Sequence, residues 1–160
     1  MSSSDVPQSL MPSLVDRLTD PESAGTAWRR GYGIDQVVAA VQRDLEDLLN
    51  TRQSHMGLPE DFVEVNHSIM AFGLPDLTSL NAVNQTQREE IGRVIEKVIT
   101  TFEPRLKDVR AFLLDNSNDQ FQRSIQFRIE ARLNVDPAPE VAFDTVLELT
   151  TGHYSIKSPS

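Results

Sequence analysis

Two hydrophobic periods meet at a single proline, and they constrain this chain more than any other feature. Before Pro104, apolar residues fall at Ile91, Val94, Ile95, Val98, Ile99 and Phe102. Steps of three and four place them on one stripe of a 3.6-residue helix. Pro104 ends that helix, because a proline disfavours the helical region for the residue before it. After Arg105 the period becomes two, which belongs to strands. The chain must therefore fold as α+β, helices first and sheet second.

The helix is expected to begin at Thr86, with Glu89 three residues on as its capping box. An earlier stripe, Ile34, Val37, Val38, Val41, Leu45, Leu48 and Leu49, predicts another long helix from about Asp35 to Thr51. Its polar face carries Gln42, Arg43, Glu46 and Asp47. At its end, Asn50 suits a turn cap and Arg52 complements the helix dipole. Between the helices, Gly57-Leu58-Pro59 and Gly73-Leu74-Pro75 read as turns. Ser68 to Phe72 reads as a helical turn capped by Ser68. Ile69, Met70, Phe72, Leu74 and Leu77 should tie this irregular segment to both helices.

The strands follow. Leu106 to Asp115 places Val109, Ala111 and Leu113 on one face. Phe121 to Val135 alternates most clearly, through Ile125, Phe127, Ile129, Ala131, Leu133 and Val135. Val141 to Thr151 repeats the pattern through Phe143, Leu147 and Leu149. The turns Asn116-Ser117-Asn118-Asp119 and Asp136-Pro137-Ala138-Pro139 join them. The expected architecture is a three-stranded antiparallel meander whose apolar face is covered by two long helices. By position, Val141 to Thr151 is the expected free edge, and His153 to Ser160 a frayed tail.

Upstream, residues 1–22 read as a flexible arm. Leu10, Leu14 and Leu18 recur in steps of four, with Val15 beside Leu14, and Asp20-Pro21 ends the pattern. A segment this short needs something to dock on, its own domain or a partner. Residues 23–160 read as one domain. They open with a small-residue connector, Ser23 to Gly33, which holds Trp28, Arg29 and Arg30. Trp28 suits a core anchor or a surface cover better than a recognition residue.

Composition limits the function classes. The chain has 160 residues, enough for one domain, and 39% of them are hydrophobic, enough for a core. Fifteen Lys+Arg against 24 Asp+Glu give a net charge of −9, which argues against nucleic acid or an anionic membrane surface as main partner. Without cysteine there is neither a disulfide scaffold nor a thiolate metal site. His55, His67 and His153 lack metal-ligand spacing. No apolar run is long enough to span a bilayer, and MSSSDVPQSL lacks the features of a secretory signal. The expected location is the cytoplasm.

Four short runs in order, Ser13-Leu14-Val15-Asp16-Arg17-Leu18, Leu48-Leu49-Asn50-Thr51-Arg52, Phe72-Gly73-Leu74-Pro75-Asp76-Leu77 and Phe102-Glu103-Pro104-Arg105-Leu106, resemble the landmarks of a known family. It is the contractile-tail baseplate wedge family, long labelled lysozyme-like, and the likeness is greatest to its type VI secretion branch, the TssE subunits. The resemblance covers nearly all the chain beyond the first dozen residues. Phe72 departs from the tyrosine of that pattern, which puts a hydroxyl contact in doubt. The resemblance implies a structural subunit at the cytoplasmic face of the inner membrane, without a cofactor. It implies wedge partners of the TssF, TssG and TssK kinds and contractile sheath partners of the TssB and TssC kinds. Partner docking would fall to Glu103, Pro104 and Arg105, with Asn50, Arg52, Leu14, Arg17 and Leu18 adding contacts. Sheath subunits of similar fold join by exchanging strands, so a sheet edge would receive one. A phage tail wedge subunit is an alternative from the same family.

The lysozyme-like label raises a peptidoglycan hydrolase as the rival. Glycoside hydrolysis uses two carboxyl groups roughly 5–5.5 Å apart for retention or 6.5–9.5 Å for inversion, one with a raised pKa. Glu103 is a candidate acid, with Asp108 or Glu96 as its second. Yet Arg105, two residues away, would lower the pKa of Glu103, the wrong direction for a general acid. Aromatic residues, the usual lining of a sugar groove, make up only 6% of the chain. A Gly-rich phosphate loop and a GxSxG elbow are both missing from the sequence. The residues thus disfavour a hydrolase, and the resemblance implies an assembly adapter.

Overall fold

The computed structural model describes residues 14–19, 33–53, 59, 61–75, 85–114, 124–148 and 151–157. The connector with Trp28, Arg29 and Arg30, the turns at 57–58 and 116–119, and Leu10, His55, Leu77 and Leu149 lie outside them. The elements are α1 (Leu14–Thr19), α2 (Ile34–Asn50), α3 (Val63–Asn66), a 3-10 turn (Ile69–Ala71), α4 (Gln85–Phe102), β1 (Leu106–Leu114), β2 (Ser124–Leu133), β3 (Glu140–Glu148) and β4 (His153–Lys157).

The two long helices stand where their stripes require. Val41 and Leu45 of α2 and Ile95 and Ile99 of α4 have no solvent exposure. They pack on the sheet face made by Ile125, Phe127, Ile129, Leu133 and Phe143. Each such side chain contributes roughly 1.5–3 kcal/mol on burial. Two boundaries differ from expectation. Thr86 lies inside the first turn of α4 and so is not its N-cap. Ile34, at the start of α2, remains 44% exposed. There the Gln36 side-chain oxygen accepts from the Gly33 N–H at 3.0 Å.

The sheet has four antiparallel strands in the order β1-β2-β3-β4, not three. The fourth lies in the segment expected as a frayed tail. Gly152, at φ +69°, turns the chain, and its N–H donates to the Glu148 carbonyl at 2.7 Å. Tyr154 and Ile156 then alternate into the core between exposed His153 and Lys157. The strand expected at the edge, β3, is therefore interior. It pairs with β2 on one side and with β4 on the other.

In β1, alternation breaks at a bulge. Lys107 pairs with Arg132 but Arg110 with Glu130, so β1 has one extra residue. Asp108 takes it up at φ 54°, a conformation that Asp tolerates better than most residues. The bulge puts both Leu106 and Val109 on the buried face despite their odd spacing. An ion pair between Arg132 and Asp108 closes over it.

The segment between the long helices is tied to the end of α2 by a short backbone bridge. Arg52 and Leu74 form a parallel bridge. Leu74 N–H donates to the Thr51 carbonyl at 2.8 Å, and Gln53 N–H to the Leu74 carbonyl at 2.8 Å. Ser68 caps the 3-10 turn as expected, its hydroxyl accepting from Met70 N–H at 3.2 Å. Leu74 is buried and Phe72 partly so, whereas Ile69 is 86% and Met70 41% exposed. Only part of the expected apolar tie is therefore made.

Candidate functional site

At the exit of α4 the chain must bury a charge. Glu103 follows Phe102, the last residue of the apolar stripe, so it falls at the core boundary and is only 5% exposed. A buried carboxylate needs partners, and Arg105 supplies them. Glu103 Oε1 accepts from the Arg105 backbone N–H at 3.1 Å and from Nε at 2.7 Å. Oε2 accepts from Nη2 at 2.5 Å. The pair is a two-pronged fork, the strong form of Arg–carboxylate contact. Pro104, exposed between them, fixes the turn that lets both side chains close on each other.

The corner reaches further than the triplet. Arg105 Nη2 also donates to Asp44 Oδ2 of α2 at 2.7 Å, and Arg43 donates to the other oxygen of Asp44 at 2.9 and 3.1 Å. The hydrogen bonds that Arg105 donates to Glu103, opposed by burial, and then to Asp44 raise its pKa. The guanidinium stays charged at any working pH. Asn134, in the β2–β3 turn, donates its N–H to the Arg105 carbonyl at 2.7 Å and its side-chain amide to the Pro104 carbonyl at 3.2 Å. Phe102 meets Phe72 edge-to-face, with centroids 5.4 Å apart. The corner walls an open hollow of about 430 Å³ lined by Asp47, Leu48, Phe72, Phe102 and Pro104, with Asp44, Glu103 and Arg105.

Three of the four landmark runs thus meet in space. Thr51 accepts from Leu74, Leu48 and Phe72 line the same hollow, and Phe72 touches Phe102. Asp44 and Asn134 escaped sequence reading. Asp44 is 61 residues from Arg105, and nothing local to it marks the contact.

The other candidates lie elsewhere. Asn50 faces inward: its amide donates to the Glu46 carbonyl at 2.9 Å and to the Tyr154 carbonyl at 2.8 Å, and it accepts from Tyr154 N–H at 2.9 Å. Arg52 is exposed beside the bridge, near Gly152. In α1, Val15 is 60% and Leu18 77% exposed, so the arm leaves these two uncovered; the side chains of Leu14 and Arg17 lie outside the described residues.

The carboxylates considered for catalysis are each engaged. Both oxygens of Glu103 face Arg105, Glu96 accepts from the Ala111 N–H at 2.7 Å, and Asp108 pairs with Arg132. Among the described residues, no three His, Asp or Glu side chains gather as metal ligands. No described helix is long and apolar enough to cross a membrane.

A family model described as baseplate wedge protein gp25 matches residues 35–138. A solved structure of a tail lysozyme, so named provisionally, from Geobacter sulfurreducens is similar in fold. It is 15% identical, with a TM-score of 0.51, over 74% of this chain and 96% of that one. A chain of the baseplate complex from the type VI secretion system is 18% identical, with a TM-score of 0.49, over 70% of this chain and 94% of that one. A search of curated proteins found no match.

Proposed function

The chain belongs to the baseplate wedge protein gp25 family, and from that premise we propose that it is a non-enzymatic adapter in a contractile injection machine of the type VI secretion kind. In this reading it is a TssE-like subunit that joins the wedge complex to the first sheath ring, in the cytoplasm at the inner-membrane face. Its domain is residues 23–160, and residues 1–22 form an arm.

One observation carries the reading. Glu103, Pro104 and Arg105 form a preorganised corner beside an open hollow, held by bonds to both α2 and the β2–β3 turn. A rigid charged fork with an exposed proline loses little entropy when a partner grips it. The partner at this corner would be a wedge subunit of the TssF, TssG or TssK kind. Exposed Leu18, with Leu14 and Arg17, would add contacts from the arm. Asn50, which pins β4 to the end of α2, and exposed Arg52 beside it would add partner contacts there. Sheath subunits of the TssB and TssC kinds would add a strand at a sheet margin.

The test is co-purification of wedge subunits with a Glu103→Ala/Arg105→Ala double variant whose fold is verified by circular dichroism. Wedge subunits should be lost, and full retention rejects the assignment. Clearing of purified cell walls by the wild-type protein, abolished by Glu103→Gln, would instead establish the hydrolase.

A further inference from the structure

Asp44, Asp47 and Leu48 stand three and four residues apart, so α2 turns them to one side. There they share the hollow of about 430 Å³ with Phe72, Phe102, Pro104 and the Glu103–Arg105 pair. Its apolar lining is a buried leucine, two rings in edge-to-face contact and an exposed proline.

The charges around the hollow do not balance. Three carboxylates line it, Asp44, Asp47 and Glu103, against one guanidinium. That guanidinium is largely spent on its neighbours. Arg105 Nε and Nη2 both donate to Glu103, and Nη2 donates to Asp44 as well. Glu103 is satisfied in return, and Asp44 divides its two oxygens between Arg105 and Arg43. Of the three carboxylates, Asp47 is the exposed one, and its side chain has no ion pair or hydrogen bond among the described residues. It also sits in the last turn of α2, where the helix dipole disfavours a negative charge. The fold itself gains nothing from this carboxylate.

We propose that the hollow receives a cationic side chain of the wedge partner, its stem on Leu48, Phe72 and Phe102 and its charge on Asp47. This rests on the reading of the corner as the wedge docking point, and it names what the corner grips. Long cationic side chains lay an apolar stem along apolar surface and keep the charged head at the rim. Arginine suits the site better than lysine, because its planar head stacks on aromatic rings and meets a carboxylate with two parallel hydrogen bonds. An acidic partner residue would instead face three like charges. The Glu103–Arg105 pair then acts as the fixed wall of the hollow, and Asp47 as the group that selects the occupant.

Titration calorimetry of the full chain with the purified wedge complex, prepared without this subunit, tests the pairing at two salt concentrations. Asp47→Asn and Asp47→Lys remove no bond that the fold uses, so both variants should be as stable as wild type. Asp47→Asn should weaken wedge binding about tenfold, the scale of a lost charge-assisted contact. It should also flatten the salt dependence of the affinity. Asp47→Lys should weaken binding further, because it sets two cations against each other. Wild-type affinity in both variants, while Glu103→Ala/Arg105→Ala fails to bind, overturns the cationic occupant and leaves the corner as the docking point. Tighter binding by Asp47→Lys assigns an acidic occupant and overturns it too. So does a loss of affinity in Asp47→Asn with the salt dependence unchanged, since no charge pair was then removed. If Glu103→Ala/Arg105→Ala itself binds like wild type, the corner reading falls and this inference falls with it.

Discussion

Gly73 lies against the carbonyl of Thr51 so closely that a Cβ on it would stand 2.4 Å from that oxygen. Its φ of +101° is a conformation that side-chain-bearing residues rarely adopt. Both conditions follow from the Arg52–Leu74 bridge, which draws the two backbones together. Gly73→Ala should therefore destabilise the protein by about 3 kcal/mol or more, since backbone strain and a backbone clash add. A urea titration measures this. Full stability would mean that the bridge is dispensable.

The Glu103–Arg105 pair predicts a reversal of the usual ordering of single and double variants. Arg105→Ala leaves a carboxylate that is 5% exposed without its cation, at a cost of about 3 kcal/mol. Removing both groups leaves no buried charge and should cost less than the single change. A double-mutant cycle by denaturant unfolding tests the ordering. It also explains why the double variant is the fairer probe of docking.

Asn50→Ala should cost about 2–3 kcal/mol, because it strips the N–H and carbonyl of Tyr154 of their partners as well as a bond to α2. Amide exchange at Tyr154 should rise with it. Unchanged exchange would show that Asn50 does not hold β4.

Tyr154 is 3% exposed, and burial pushes its phenol up to about 12 from the usual 10.0, with Arg52 pulling slightly the other way. The fold thus favours the neutral phenol. That contribution is complete below pH 10, and it is lost as pH rises from 10 through about 12, because the unfolded chain ionises first. Tyr154→Phe should remove the corresponding fall of about 1 kcal/mol between pH 9 and 11. Its stability at neutral pH should be unimpaired, since the buried hydroxyl has no hydrogen-bond partner among the described residues. Urea midpoints at the two pH values read both effects.

The helices and most of the sheet were legible because burial writes its own period into the sequence. Ile91 to Phe102 and Ile125 to Leu133 leave no other arrangement for their apolar faces. The fourth strand was missed because only Tyr154 and Ile156 mark it, too few for a period. What fixes it comes from Asn50 and Gln42, 104 and 114 residues away. The bulge left a trace, the opposite parity of Leu106 and Val109, which alternation counted from Val109 overlooks. At the corner, Glu103 and Arg105 were visible as neighbours, whereas Asp44 and Asn134 meet them only through the fold.

Titration calorimetry of the purified wedge complex with wild-type protein and with the Glu103→Ala/Arg105→Ala variant tests the docking corner most directly. The corner account predicts a loss of affinity of about a hundredfold or more, the scale of a central anchor in an interface, with the variant still folded. An affinity equal to wild type would contradict it.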